Sequence, residues 1–174
     1  MSGAGKIRVN GEVHSGGGRI AIRLNDQDAS FDSFTGVTEA KGNSGGAGTI
    51  ALQTAGDSEY GGTIVVDNGI KSFGSYYTDL PVSRLSNEAA AFGKDATVKL
   101  VVRNGGCVNV TSDMRLGDLA IEQYGKMLLN GHVVQVNARR PKSWPADGSL
   151  PSSVLPGAGG SILWRQPGLM VLVR

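Results

Sequence analysis

Aliphatic and polar residues alternate in short bursts along most of the chain. The clearest are GGRIAIRL at 17–24, GGAGTIALQT at 45–54, TIVVDNG at 63–69, TVKLVVRNGG at 97–106 and KMLLNGHVVQV at 126–136. A period of two predicts half-buried β-strands, with one face apolar and the other polar. Strands are expected at 7–9, 19–24, 49–53, 63–67, 97–103, 107–110, 116–121, 127–129, 133–136, 161–164 and 169–173. Glycine pairs or Asn-Gly steps separate them, and these residues tolerate the positive φ that tight corners demand.

Helical periodicity is confined to 82–95, where Ser86 can cap, Ala89, Ala90 and Ala91 favour a helix and Gly93 can stop it. This segment belongs to a stretch at 70–96 that reads as one long insertion. Beyond Asn137 the pattern changes. Four of the six prolines lie in 138–160, which predicts an extended surface segment, because proline cannot serve a central strand. The last residues, 161–174, contain RQPG between two apolar runs, in the order that suits a type II turn. They are expected to form a hairpin, 162–164 against 169–172, that caps the body.

Many short strands at short intervals fit either an antiparallel β-sandwich or a solenoid in which each turn of chain adds a rung. The recurring unit keeps one polarity: glycine, an aliphatic pair, then Asn or Asp-Asn. That favours a solenoid over 1–137, with inward aliphatics stacked in ladders and stacked Asn bonding along them.

The stretches GGGRIAIRL, GGAGTIALQT and YGGTIVVDNG, with LAIEQYGKMLLNGHVVQV, resemble the glycine-rich repeats of large bacterial surface and autotransporter-like proteins. The resemblance covers roughly 5–137. It implies a right-handed, single-stranded parallel β-helix, exported and displayed outside the cell. The C-terminal membrane barrel of true autotransporters is not seen in this sequence.

Composition agrees with an exported β protein. Glycine makes up 27 of 174 residues, roughly twice the usual share of about 7%. Charged residues are 18%, below the usual level of about 25%. A net charge of +2 with scattered basic residues is no footprint for nucleic acid, and the cluster Arg139, Arg140 and Lys142 reads as a solvated loop. The longest apolar run, LMVLV at 169–173, is far short of a membrane-spanning helix. No charged segment followed by an apolar one opens the chain, and MSGAGKIRVNG starts in mid-pattern. The chain is therefore expected to be part of a longer precursor. One cysteine, Cys107, excludes an internal disulfide framework.

Candidate chemistry is sparse. Asp26, Asp28 and Asp32 alternate after a strand, as oxygen ligands for Ca²⁺ do, but Phe31 and Val37 stand where an EF-hand needs its Gly and Glu. Phe73, Tyr76 and Tyr77 cluster in the insertion and offer an aromatic platform for a sugar ring. Asp57 with Glu59, and Asp113 with Asp118, are the nearby carboxylate pairs that glycoside hydrolysis would need. Lys99, Arg103, Arg115 and Asp113 could share one outer wall, as a polysaccharide lyase would require. GAGKI at 3–7 and GAGTI at 46–50 lack the Lys-Ser/Thr of a phosphate loop. No residues are assigned as catalytic. The sequence thus predicts a structural or adhesive module without enzymatic activity. Its expected partners are carbohydrate or another length of solenoid; a polysaccharide-active enzyme on the same scaffold is the alternative.

Overall fold

A computed structural model describes residues 1–59, 61–70, 74–80 and 97–165. Among them the protein is all-β: fourteen strands and no helix. The expected helix at 82–95 and the second arm of the terminal hairpin at 169–172 lie outside the described residues.

The chain opens with β1 (Lys6–Arg8), β2 (Arg19–Arg23), β3 (Val37–Glu39) and β4 (Thr49–Gln53). β1 pairs with β3 and β2 with β4, both in parallel. Ile20, Ala40 and Ile50 form a small core there, with Ile7, Ile22, Leu52 and Val65 against it. The glycines of this part do something other than turn the chain. A Cβ on Gly17 would stand 2.0 Å from the Ala40 carbonyl oxygen, and one on Gly48 would stand 1.8 Å from that of Gly18. These glycines let neighbouring backbones touch.

The remaining strands are β5 (Gly62–Asp67), β6 (Thr78–Leu80), β7 (Val98–Arg103), β8 (Cys107–Val110), β9 (Met114–Leu116), β10 (Asp118–Ile121), β11 (Lys126–Leu128), β12 (Val133–Val136), β13 (Val154–Leu155) and β14 (Ser161–Trp164). They fall into three parallel ladders: β5-β7-β10, β6-β8-β11-β13 and β9-β12-β14. The three strands β7, β8 and β9 visit the three ladders in turn, and β10, β11 and β12 visit them again in the same order. Lys99 faces Asp118 and Cys107 faces Lys126, each 19 residues further on, while Met114 faces Val134, 20 further on.

In-register pairing lines up apolar columns: Val66–Val102–Ile121, Ile64–Leu100–Leu119, Val108–Met127–Val154 and Met114–Val134–Ile162. Most of these side chains are buried in one continuous core. Each large aliphatic so removed from water contributes roughly 1.5–3 kcal/mol before the entropy of ordering is deducted. The corners between ladders carry the signature read from the sequence. Asn104 and Gly105 both have positive φ, 48° and 78°, as do Asn130 and Gly131, 52° and 85°, the conformation for which Asn and Gly are the least strained choices.

One pairing breaks the expected single polarity. β4 runs antiparallel to β5, with Ile50 opposite Val65 and Ala51 opposite Ile64. The reversal is tied by the Asp57 carboxylate, which accepts from the Thr54 N–H at 2.7 Å and its hydroxyl at 2.9 Å. The Gln53 amide adds bonds to the carbonyls of Ser58 at 2.8 Å and Glu59 at 3.2 Å. The five-stranded sheet β10-β7-β5-β4-β2 consequently serves two cores. Ile50, Leu52 and Val65 face the small one, whereas Ala51, Ile64 and Val66 face the large one. The single polarity expected of the solenoid over 1–137, with its insertion at 70–96, is thereby corrected at β4–β5, and so is an antiparallel sandwich, since β4–β5 is the only antiparallel pairing among the described strands.

Two stretches read as surface excursions contribute to the body. Within 70–96, Thr78–Leu80 is a strand and Leu80 is fully buried. Within 138–160, Val154 and Trp144 are buried, and Trp144 meets Trp164 edge to face with ring centroids 5.0 Å apart. β14 extends a ladder by pairing in parallel with β12.

The corner at Gly125 gives a test of stacking distance. A Cβ there would lie 2.1 Å from the Val102 carbonyl oxygen, whereas one on Gly5 meets nothing within 4 Å. Gly125→Ala is expected to lower unfolding free energy by about 1–3 kcal/mol, as overpacking does. Gly5→Ala should change it by less than about 0.5 kcal/mol, both read from urea denaturation midpoints.

Candidate functional site

The candidate site is built where the approaches to three strands meet. Residues 16–19 lead into β2, 46–49 into β4 and 77–79 into β6, and together they line an open groove of about 320 Å³. Its lining combines the side chains of Arg19, Tyr77, Thr78 and Asp79 with four glycines, Gly16, Gly17, Gly46 and Gly48. The Thr78 hydroxyl donates to the Ala47 carbonyl and so ties β6 to the segment before β4. Asp79 accepts a hydrogen bond from the Asn109 side-chain amide at 2.7 Å, and Asn109 in turn accepts from the Asn130 amide. This polar pile runs along one ladder and holds the Asp79 carboxylate in place.

Of the expected aromatic platform, Tyr76 is 55% exposed and stands out from the fold. Tyr77 is half-buried at the groove, with the Lys126 ammonium 5.7 Å from its ring centroid, a cation–π distance. Phe73 lies outside the described residues. Arg19 and Asp79 were not singled out from the sequence, because nothing in the local pattern brings residue 19 beside residues 77–79.

The expected metal ligands are not gathered. Asp26, Asp28 and Asp32 are all exposed. The Asp26 carbonyl accepts from the Ala29 N–H at 3.1 Å and the Asp32 N–H donates to the Ser30 hydroxyl at 3.3 Å, contacts that shape a polar turn. Among the described residues no three His, Cys, Asp or Glu side chains converge as a metal centre would need.

The residues considered for catalysis are dispersed into ion pairs. Lys99 faces Asp118 at 3.7 Å, and Arg103 meets Asp67 at 2.8 Å and Glu122 at 3.7 Å along the outside of one sheet. Arg115 is in β9, on a different ladder, and Asp113 beside it pairs with His132 at 3.5 Å and accepts from the Val133 N–H at 2.8 Å. Asp57 is occupied in the reversal with Thr54, so neither carboxylate pair flanks a common cleft. A general acid needs a carboxyl with raised pKa. Glu39 is instead held below its ordinary 4.5, first by the hydrogen bond from Lys41 and then by that from Asn10, with Arg8 at 2.7 Å adding to the effect. Hydrogen bonds from Ser149 hold Asp147 down in the same direction.

Cys107 is fully buried in β8 and its thiol donates to the Gly74 carbonyl at 3.2 Å. Burial pushes the thiol above its usual 9.0, outweighing the opposing effect of Lys126 and of the Gly74 bond. That is the reverse of what a nucleophilic cysteine requires.

Two measurements check these assignments. Cys107 is expected to be silent to an aromatic disulfide reagent at pH 8 in native protein and to react fully once urea unfolds it; fast labelling of folded protein would contradict its burial. The Glu39 carboxyl, followed by NMR, should titrate below 4.5 and move upward in Lys41→Ala. Because the folded value is depressed, the stabilisation linked to Glu39 is present above the unfolded value and is lost as pH falls through the folded one.

No helix among the described residues is long and apolar enough to cross a membrane. No family model, curated protein or solved structure matches this chain.

Proposed function

We propose that this chain is a non-enzymatic module of an extracellular or cell-surface protein, built on a parallel β-helix, that spaces or adheres and contacts carbohydrate at the groove beside Tyr77. Three features support the scaffold reading. β7, β8 and β9 visit three ladders in the order that β10, β11 and β12 repeat, the register between these two passes advances by 19 to 20 residues, and the glycine-rich repeats resemble those of bacterial surface proteins. A right-handed winding is the sense that parallel crossovers nearly always take. The antiparallel step at β4–β5 then joins a short two-ladder unit to the three-ladder body.

The observation that carries the binding reading is the placing of Tyr77 in the lining of a glycine-rich groove, with Tyr76 exposed next to it. A sugar presents an apolar face to an aromatic ring and hydroxyls to polar neighbours, and the groove offers both kinds of surface. The dispersal of carboxylates and cations into ion pairs favours binding over turnover.

Affinity electrophoresis through gels loaded with plant and bacterial polysaccharides tests this. Retardation by at least one polysaccharide is expected, with no new reducing ends and no unsaturated sugar produced. Tyr77→Ala should weaken it roughly 5- to 10-fold, the effect of about 1–1.4 kcal/mol from one aromatic contact. Release of product by the wild-type protein, or binding that survives Tyr77→Ala and Tyr76→Ala together, would refute the proposal.

A further inference from the structure

We infer that the groove beside Tyr77 selects an acidic saccharide, a uronic-acid unit whose carboxylate is taken by Arg19. The inference rests on the carbohydrate reading above and adds the charge of the ligand.

The groove's polar groups divide unevenly between those already engaged and those left over. Asp79 is engaged by the Asn109 amide at 2.7 Å, and the Ala47 carbonyl accepts the Thr78 hydroxyl. The Arg19 guanidinium is exposed and makes no ion pair or side-chain hydrogen bond among the described residues. On the Tyr77 side, the Lys126 ammonium sits over the ring, 5.7 Å from its centroid. The groove lining therefore holds one cation, Arg19, and one carboxylate, Asp79, and that carboxylate already has a donor. Among the described residues, the charged lining group left without a partner to meet a ligand is the Arg19 guanidinium.

Arg19 suits a carboxylate for geometric reasons. Its planar fork can donate two parallel hydrogen bonds to both oxygens, which a lysine cannot do. It is the first residue of β2, in register with Thr49 at the start of β4, so its backbone is held by the ladder. Gly16, Gly17, Gly46 and Gly48 line the same groove as Arg19 and Tyr77 and contribute only backbone to it. A pyranose ring can lie on Tyr77 while a carboxylate on its rim reaches Arg19. The remaining Asp79 oxygen is placed to accept from a ring hydroxyl.

The test is calorimetric titration of the whole chain with tetragalacturonate and with tetramannuronate, each against its fully methyl-esterified form. Esterification keeps the sugar and removes the charge. At least one acid is expected to bind tenfold or more tightly than its ester, and Arg19→Gln should bring acid and ester within about twofold while leaving the urea midpoint unchanged. Equal binding of acid and ester by the wild type would overturn the charge preference and leave the carbohydrate reading standing. A preference that persists in Arg19→Gln would remove Arg19 from the role. Failure of all four oligosaccharides to bind would overturn this inference, and the gel experiment on neutral polysaccharides then decides separately whether carbohydrate contact survives.

Discussion

Stacking of short strands in register is the constraint on which the rest of the structure depends. Strands of two to six residues are too short to bury an apolar face alone, so each takes its partner from the strand above and below. Columns such as Ile64–Leu100–Leu119 and Val108–Met127–Val154 place like side chains over like. The aliphatic groups fill a common interior, and the backbone groups that would be orphaned there are consumed by the ladders. A one-residue slip would turn a whole column outward. Gly106 and Gly125 mark the same corner in successive passes, and each admits a carbonyl from the pass before it, Val66 or Val102, where a Cβ would collide.

The outer surface is organised by the same register. Asp67, Arg103 and Glu122 lie across three neighbouring strands and pair by charge, as do Lys99 and Asp118 on the row near the other end. Exposed pairs of this kind contribute little energy individually, but they penalise a slipped ladder by placing like charges together. One edge of the large sheet among the described strands, β2, has an arginine at each end, Arg19 and Arg23. Two copies meeting there in an antiparallel pair would oppose positive charges, a common guard against edge-to-edge association.

The groove follows from packing demands rather than from a local motif. The Gly-rich approaches to β2 and β4 are places where backbones pass within contact distance, and together with residues 77–79 they line the groove. Tyr77 and Asp79 flank Thr78, the residue whose hydroxyl ties β6 to the segment before β4. The aromatic ring, the carboxylate and Arg19 are thus assembled as a by-product of how the two parts of the molecule abut at the large sheet.

What the sequence by itself determined was the strand content and the inward positions. Alternation is a local property, set by which residues fit one face of a pleated strand, so the segments at 19–24, 49–53, 63–67, 97–103 and 133–136 all contain strands of the structure. The Asn-Gly corners were legible for the same reason, because positive φ selects residue type locally. Polarity was not. A period of two reads identically in both directions, and only the reversal at Asp57, with its bonds to Thr54 and the Gln53 amide, decides that β5 runs against β4. The strand at Thr78–Leu80 was hidden because three residues give too little alternation to see, and its burial depends on the β8 neighbour. Tertiary structure alone brought Arg19 to Tyr77, dispersed Asp26, Asp28 and Asp32, and drew Trp144 from a Pro-rich stretch onto Trp164. Contacts between residues far apart in the chain are set by how ladders stack, and no window of sequence contains that information.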